Sequence, residues 1–239
     1  MAGHSKWANI KHRKEKADAK KGKLFSRVTK EIISAVKQGG PDAKNNPKLR
    51  LALIKAKEVN LPNDNIERNI KKAISSDQAD FVEMMYEMYG HGGVGIIIDL
   101  MTDNKNRTAS DMRIATNKRG GSIAAPGAVA YNFDRKGIIH VQKKGTIDEF
   151  FEAVIETGAE DVEEVEDLFI VTVLPDQLYQ IKDQITALGY HVEEAQLEMI
   201  PKNLVEVSEE HRQANLALIE WLEALDDVDA VYHNMKLEE

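Results

Sequence analysis

Not one cysteine occurs among the 239 residues, which removes disulfides, thiolate metal sites and thiol nucleophiles at once. Long apolar runs are missing too. The longest, Val94 to Met101, is broken by Asp99 and falls far short of the roughly 18 residues a membrane span needs. The opening has no apolar core of a secretory signal, and Glu15 with Asp18 argues against an organellar transit peptide. The expected compartment is therefore the cytoplasm, with no membrane partner. No HExxH, P-loop or GxSxG pattern is present, and the seven histidines show no metal-ligand spacing. No cofactor, metal ligand or catalytic residue is expected, and the chain does not read as an enzyme.

What is abundant is positive charge at one end. The first 30 residues hold Lys6, Lys11, Arg13, Lys14, Lys16, Lys20, Lys21, Lys23, Arg27 and Lys30 against only Glu15 and Asp18. Trp7, His4 and His12 are interleaved among them. Closely spaced cations displace condensed counterions from a polyphosphate, and an exposed indole can stack on an unpaired base. The bland alternative is a solvated basic tail. Residues 1–76 carry 19 Lys and Arg against 7 Asp and Glu, a balance of +12, and the remainder carries 13 against 33, a balance of −20. The net −8 therefore hides a dipolar molecule that should approach a polyanion in one orientation. The candidate nucleic-acid-binding residues are Lys6, Trp7, Lys11, Arg13, Lys14, Lys16, Lys20, Lys21, Lys23 and Arg27.

Hydrophobic periodicity predicts the frame. Leu24, Phe25, Val28, Ile32, Ile33 and Val36 recur at helical spacing up to Gly39-Gly40. Asn46-Pro47 opens a second helix, and Asn63 is expected to cap a third, giving a three-helix bundle over about 20–76. The last two helices read as an αα-hairpin or the outline of a helix-turn-helix, with Asn65, Arg68, Asn69 and Lys72 available to read bases. Beyond residue 76 come two strands around Gly90–Gly93, a helix over 105–119 and a strand expected through Ala128–Phe133. GHGGVG at 90–95 matches GxGxxG, but strands on both sides make it a hairpin turn and not a dinucleotide site. Residues 137–200 then read βαββαβ, the ferredoxin-like pattern, with Thr146 and Glu149 as a capping box. A final helix over 208–225 and a strand over 230–237 cannot fold alone and should return to the earlier unit.

The expected fold is α+β: an N-terminal three-helix bundle, then two ferredoxin-like α/β domains with the last inserted in the second. The domains are expected at 1–76, at 77–134 plus 203–239, and at 135–202. Two acidic clusters, 160–167 and 226–229, could pass for catalytic pairs or metal sites. Neither has the spaced ligands and glycine of a calcium loop, so both read as solvated surface.

MAGHSKWANIKHRK, LFSRVTKEI, LPNDNIERNIKKA, YEMYGHGGVG, DNKNRTASDMR and the GGS…GAVAYNF stretch fall in the order of the YebC family, which the whole chain resembles. Met88 and His91 stand where that family more often has glycine and proline. The resemblance implies the same three-domain fold, no catalysis, and a DNA-binding transcriptional regulator. For several members it implies a ribosome-associated factor that binds RNA and relieves stalled translation. It places Lys6, Lys11, Arg13 and Lys14, beside Trp7, and then Lys23 and Arg27, in matching blocks. DNA and ribosomal RNA both remain candidate ligands for residues 1–76, with the ribosome as a further partner. The acidic domains could instead serve as an adaptor for a basic protein.

Overall fold

The computed structural model describes residues 17–75 and 80–237. Three helices come first: α1 (Ala17–Gly39), α2 (Pro47–Glu58) and α3 (Asn63–Ile74). Val28, Ile32, Ile33 and Val36 of α1 meet Leu49, Ala52, Ala56, Ile66 and Ala73 in one core. Both α2 and α3 pack along α1 and touch each other little, so the pair is less a hairpin than two helices leaning on a third.

Asn46 makes the first junction. Its side chain accepts from Leu49 N (3.0 Å) at the start of α2 and donates to Ala35 O (2.7 Å) and Gly40 O (2.8 Å) at the end of α1. One amide thus caps the start of α2 and ties it to the end of α1. Gly39 leaves room for it, since a Cβ there would lie 2.7 Å from the Asn46 amide. The cap expected at Asn63 is not formed. Asn63 is the first residue inside α3 and no side chain caps that end. Pro62 precedes it with φ −58°, close to the value a helix requires, so the proline ring sets the entry.

Next come β1 (Val82–Tyr89), β2 (Gly95–Thr102), α4 (Lys105–Arg119) and the short β3 (Ser122–Ile123). β1 and β2 pair antiparallel from Val82↔Thr102 to Tyr89↔Gly95. Their turn contains Gly92 and Gly93 at φ 69° and 80°, the left-handed region that glycine enters without steric cost. Asn104 caps α4 by accepting from Asn106 N and Arg107 N, both at 3.1 Å.

The strand expected through Ala128–Phe133 is absent from the first sheet. Residues 124–132 form a loop that Glu87, a buried residue of β1, organises from inside. Its carboxylate accepts from Gly127 N (2.6 Å), Val129 N (2.6 Å) and Ala130 N (2.7 Å). Those donors are committed to a side chain and cannot build a ladder. Burial disfavours the charge, yet the three backbone donors hold the Glu87 carboxyl below the usual carboxylate range.

β4 (Phe133–Gln142) leaves this loop straight into a second sheet, completed by α5 (Ile147–Val154), β5 (Asp161–Val165), β6 (Leu168–Val173), α6 (Leu178–Ala187) and β7 (Val192–Pro201). Its order, β5-β6-β4-β7, is the ferredoxin-like one. The capping box is present, with Thr146 N donating to Glu149 at 2.9 Å and Glu149 N to Thr146 Oγ1 at 3.3 Å. Because β7 runs antiparallel to β4 with Phe133 opposite Pro201, the chain leaves and returns at one place. α7 (Glu209–Ala224) and β8 (Val228–His233) then go back to the first sheet, whose order is β3-β1-β2-β8. There α4 and α7 cover one face, Met112, Ala115, Leu218 and Leu222 packing on Met88, Ile96, Ile98 and Leu100.

Candidate nucleic-acid interface

Lys6, Trp7, Lys11, Arg13, Lys14 and Lys16 lie outside the described residues. Lys20 and Lys21 fall on the first turns of α1. The structure brings Lys23 and Arg27 together, but toward the protein. With Lys30 they form one row at i, i+4 and i+7 along α1, against the segment that joins α7 to β8.

At that segment Lys23 Nζ donates to the carbonyl oxygens of Glu223, Leu225 (3.2 Å) and Val228 (3.2 Å). These carbonyls lie at and just beyond the C-terminal end of α7, where a cation is favoured by the macrodipole. Burial pulls the Lys23 ammonium below its ordinary range, against the opposing attraction of Glu223, Asp229 and Asp226. Lys30 Nζ, buried, donates to Met101 O (3.0 Å) and Asp226 O (2.9 Å). Arg27 Nε lies 3.3 Å from Glu31 and 4.0 Å from Asp229. A cleft of about 280 Å³ opens beside this row, between Lys23 and Arg27 of α1, Glu194 and Gln196 of β7, and Glu220 of α7.

The acidic cluster 226–229 is therefore not the solvated surface expected of it. Asp227 is 7% exposed. Its Oδ2 accepts from Thr102 (3.0 Å) and Thr108 (2.9 Å), and Arg107 reaches its two oxygens at 2.7 and 2.9 Å. Burial works against this carboxylate, but those donors hold its pKa below the usual range. Asp229 goes the other way. Burial pushes it up to about 6, only partly opposed by Arg27 and Lys30. Asp227 thus acts as a structural lock, whereas Asp229 also lines the cleft beside Lys23 and Arg27.

On α3, Asn65 and Asn69 are partly engaged with each other and with Arg68, Asn69 Nδ2 donating to Asn65 O at 2.7 Å. Arg68, Lys71 and Lys72 are exposed beside Asp64 and Glu67. That mixed charge makes α3 a poor groove reader. Among the described residues no group of three or more His, Asp or Glu could hold a metal ion, and no helix is long and apolar enough to cross a membrane.

Sequence reasoning missed the basic character of α4. All five Lys and Arg between residues 80 and 134 fall in its 15 residues, with a single acid, Asp111. The signal is visible in the sequence, but a balance taken over residues 77–239 buries it.

Two family models cover the chain: the TACO1/YebC N-terminal domain over residues 5–76 and the TACO1/YebC second and third domain over 81–235. The chain belongs to the TACO1/YebC family. It is 68% identical, over its whole length and 98% of the relative's, to "Probable transcriptional regulatory protein pc1328" of Protochlamydia amoebophila. It is 58% identical to "Probable transcriptional regulatory protein CAB166" of Chlamydia abortus, covering 98% of this chain and all of that one. Among solved structures, the conserved hypothetical protein Aq1575 of Aquifex aeolicus superposes with TM-score 0.80 and 42% identity over 93% of both chains. The bundle followed by two α/β layers is thus the family's fold.

Proposed function

We propose that this family member is a non-enzymatic regulator of gene expression that grips nucleic acid through residues 1–76. The names its relatives carry favour DNA and transcription. The observation that carries the reading is the charge division, +12 in residues 1–76 against −20 beyond, which presents one end of the molecule to a polyanion. The gripping residues are Lys6, Lys11, Arg13, Lys14, Lys16, Lys20 and Lys21, with Trp7 as a stacking ring. Lys23 and Arg27 take the structural part, because their charges are spent on α7 and Asp229. The domains act as divided above, the bundle binding and the acidic units orienting.

A second reading, ribosomal RNA, is favoured by Trp7 among the cations, because irregular RNA offers unstacked bases. Sedimentation of the full chain with ribosomes, with duplex DNA as competitor and at two salt concentrations, separates the two. Release by excess duplex supports the transcriptional reading, and co-sedimentation that survives it supports the ribosomal one. Replacing Lys11, Arg13 and Lys14 together by Gln should lower the log–log salt slope by about 3. A slope near zero in the unaltered chain rules out the grip itself.

A further inference from the structure

We infer that the outer face of α4 is a second contact for the sugar–phosphate backbone of the same nucleic acid, on a unit whose overall charge is negative. The inference rests on the nucleic-acid reading above and adds a surface to it. On α4, Thr108, Met112 and Ala115 are buried, which turns Asn106, Ser110, Arg113 and Asn117 outward as one exposed stripe. These four span about 16 Å at 1.5 Å per residue, close to five duplex steps of about 3.4 Å. Each is a hydrogen-bond donor that phosphate oxygens accept, and none is a carboxylate.

Exposed Lys118 adds a cation on the flank of the stripe. Of the other three cations on the helix, Lys105 stands exposed on the first turn, Arg107 holds Asp103 and Asp227, and Arg119 lies 5.2 Å over the Trp221 ring. The side chains of Arg113 and Lys118 make no hydrogen bond or ion pair among the described residues. A planar guanidinium held on a rigid helix, with nothing to neutralise it, suits two-point contact with a phosphate.

The neighbouring helix provides the contrast. α7 covers the same sheet face and carries Glu209, Glu210, Glu220 and Glu223 against Arg212 alone, the composition expected of ordinary solvated surface in an acidic unit. A helix that only needed solubility had no reason to exclude carboxylates from its outer stripe. With α7 repelling phosphate and α4 admitting it, the strand would be steered to one side of the layer.

The test uses the full chain with Arg113→Gln and Lys118→Gln, titrated against a fluorescein-labelled DNA duplex and an RNA hairpin over a salt series. A control carries Arg135→Gln and Lys144→Gln, an equal charge change elsewhere. Melting temperature and far-UV circular dichroism establish that α4 is intact. The expected result is a salt slope smaller by about 2 and affinity lower by roughly tenfold at low salt, with the control much closer to the unaltered chain. The inference is overturned if both pairs behave alike, or if the α4 pair changes nothing while neutralising Lys11, Arg13 and Lys14 still does. If the unaltered chain shows no salt-dependent binding, the functional reading falls and takes this contact with it.

Discussion

Residues 160–167 and 226–229 are nearly interchangeable as text, each a run of acids broken by valine, and the fold treats them oppositely. The first runs along β5, an edge strand of the second sheet. Its Val162 enters the core while Asp161 is exposed, and Glu160 and Glu164 meet Lys136 and Lys143 at the surface. The second links α7 to β8, where Asp227 is buried under Arg107, Thr102 and Thr108 and Asp229 faces Arg27. The difference lies in the partners. A strand with one buried face leaves its alternate residues to water, whereas a link between two packed elements is enclosed by whatever those elements meet.

Removing the carboxylate that is most enclosed should break the comparison hardest. Asp227→Ala removes the carboxylate that the buried Thr102 and Thr108 hydroxyls share and one of the two carboxylates that Arg107 holds, Asp103 remaining, and is expected to cost about 2–4 kcal/mol. Urea denaturation measures it, and the melting temperature should fall by several degrees. A loss below 0.5 kcal/mol would return Asp227 to the class of its exposed counterparts. Next in size is Lys30→Met. It strands the carbonyls of Met101 and Asp226, which Lys30 Nζ reaches at 3.0 and 2.9 Å, at a cost of about 1–3 kcal/mol. This variant also tests whether the bundle is docked on the first sheet, because the ammonium spans 71 residues of sequence to one acceptor and 196 to the other.

The two clusters also mark where a sequence can be read. The helices announced by Asn46 and Thr146, and the one expected over 105–119, appear where expected, since a cap and an apolar period are local signals. The return of α7 and β8 to the first sheet was legible as well, because an isolated αβ pair has nothing to bury against. The loop at 124–132 was not. Its apolar residues suggest a strand, and only the distant Glu87 carboxylate decides otherwise. The burial of Asp227 depends on Thr102 and Arg107, more than a hundred residues earlier, and no composition window joins them. At the candidate interface, the basic excess was plain from the sequence. That Lys23 and Arg27 face inward follows only from where α7 ends.

Acid titration sharpens the contrast within the second cluster. Asp227 is held low, so the stability it supplies is complete above the ordinary carboxylate pKa of about 4 and is lost as the pH falls through its depressed value. Asp229 is raised to about 6 by burial, against Arg27 and Lys30 and with Glu31 and Asp99 adding to the rise. Its contribution is present below about 4, where both states are protonated, and declines as the pH rises through 6. The size is of the order of 3 kcal/mol. Asp229→Asn should flatten the stability profile between pH 4 and 6 and leave the loss below pH 4 in place. A variant whose profile matches the unaltered chain across that window would show that Asp229 ionises freely.

The smallest stability effect belongs to the exposed run, and there a different property should change. Asp161→Asn with Glu163→Gln is expected to alter the unfolding free energy by no more than about 0.5 kcal/mol, because neither carboxylate is enclosed as Asp227 is. β5 is nonetheless an edge strand, pairing with β6 on one side only, and charge along an open edge is what deters a second chain from adding to it. The neutral pair should therefore melt normally and yet self-associate at concentrations where the unaltered chain stays dispersed. Sedimentation velocity over a concentration series reads this directly. Unchanged association would mean that twist and neighbouring side chains already protect the edge. A large loss of stability would mean that these carboxylates, like Asp227, hold something buried, and the contrast between the two clusters would collapse.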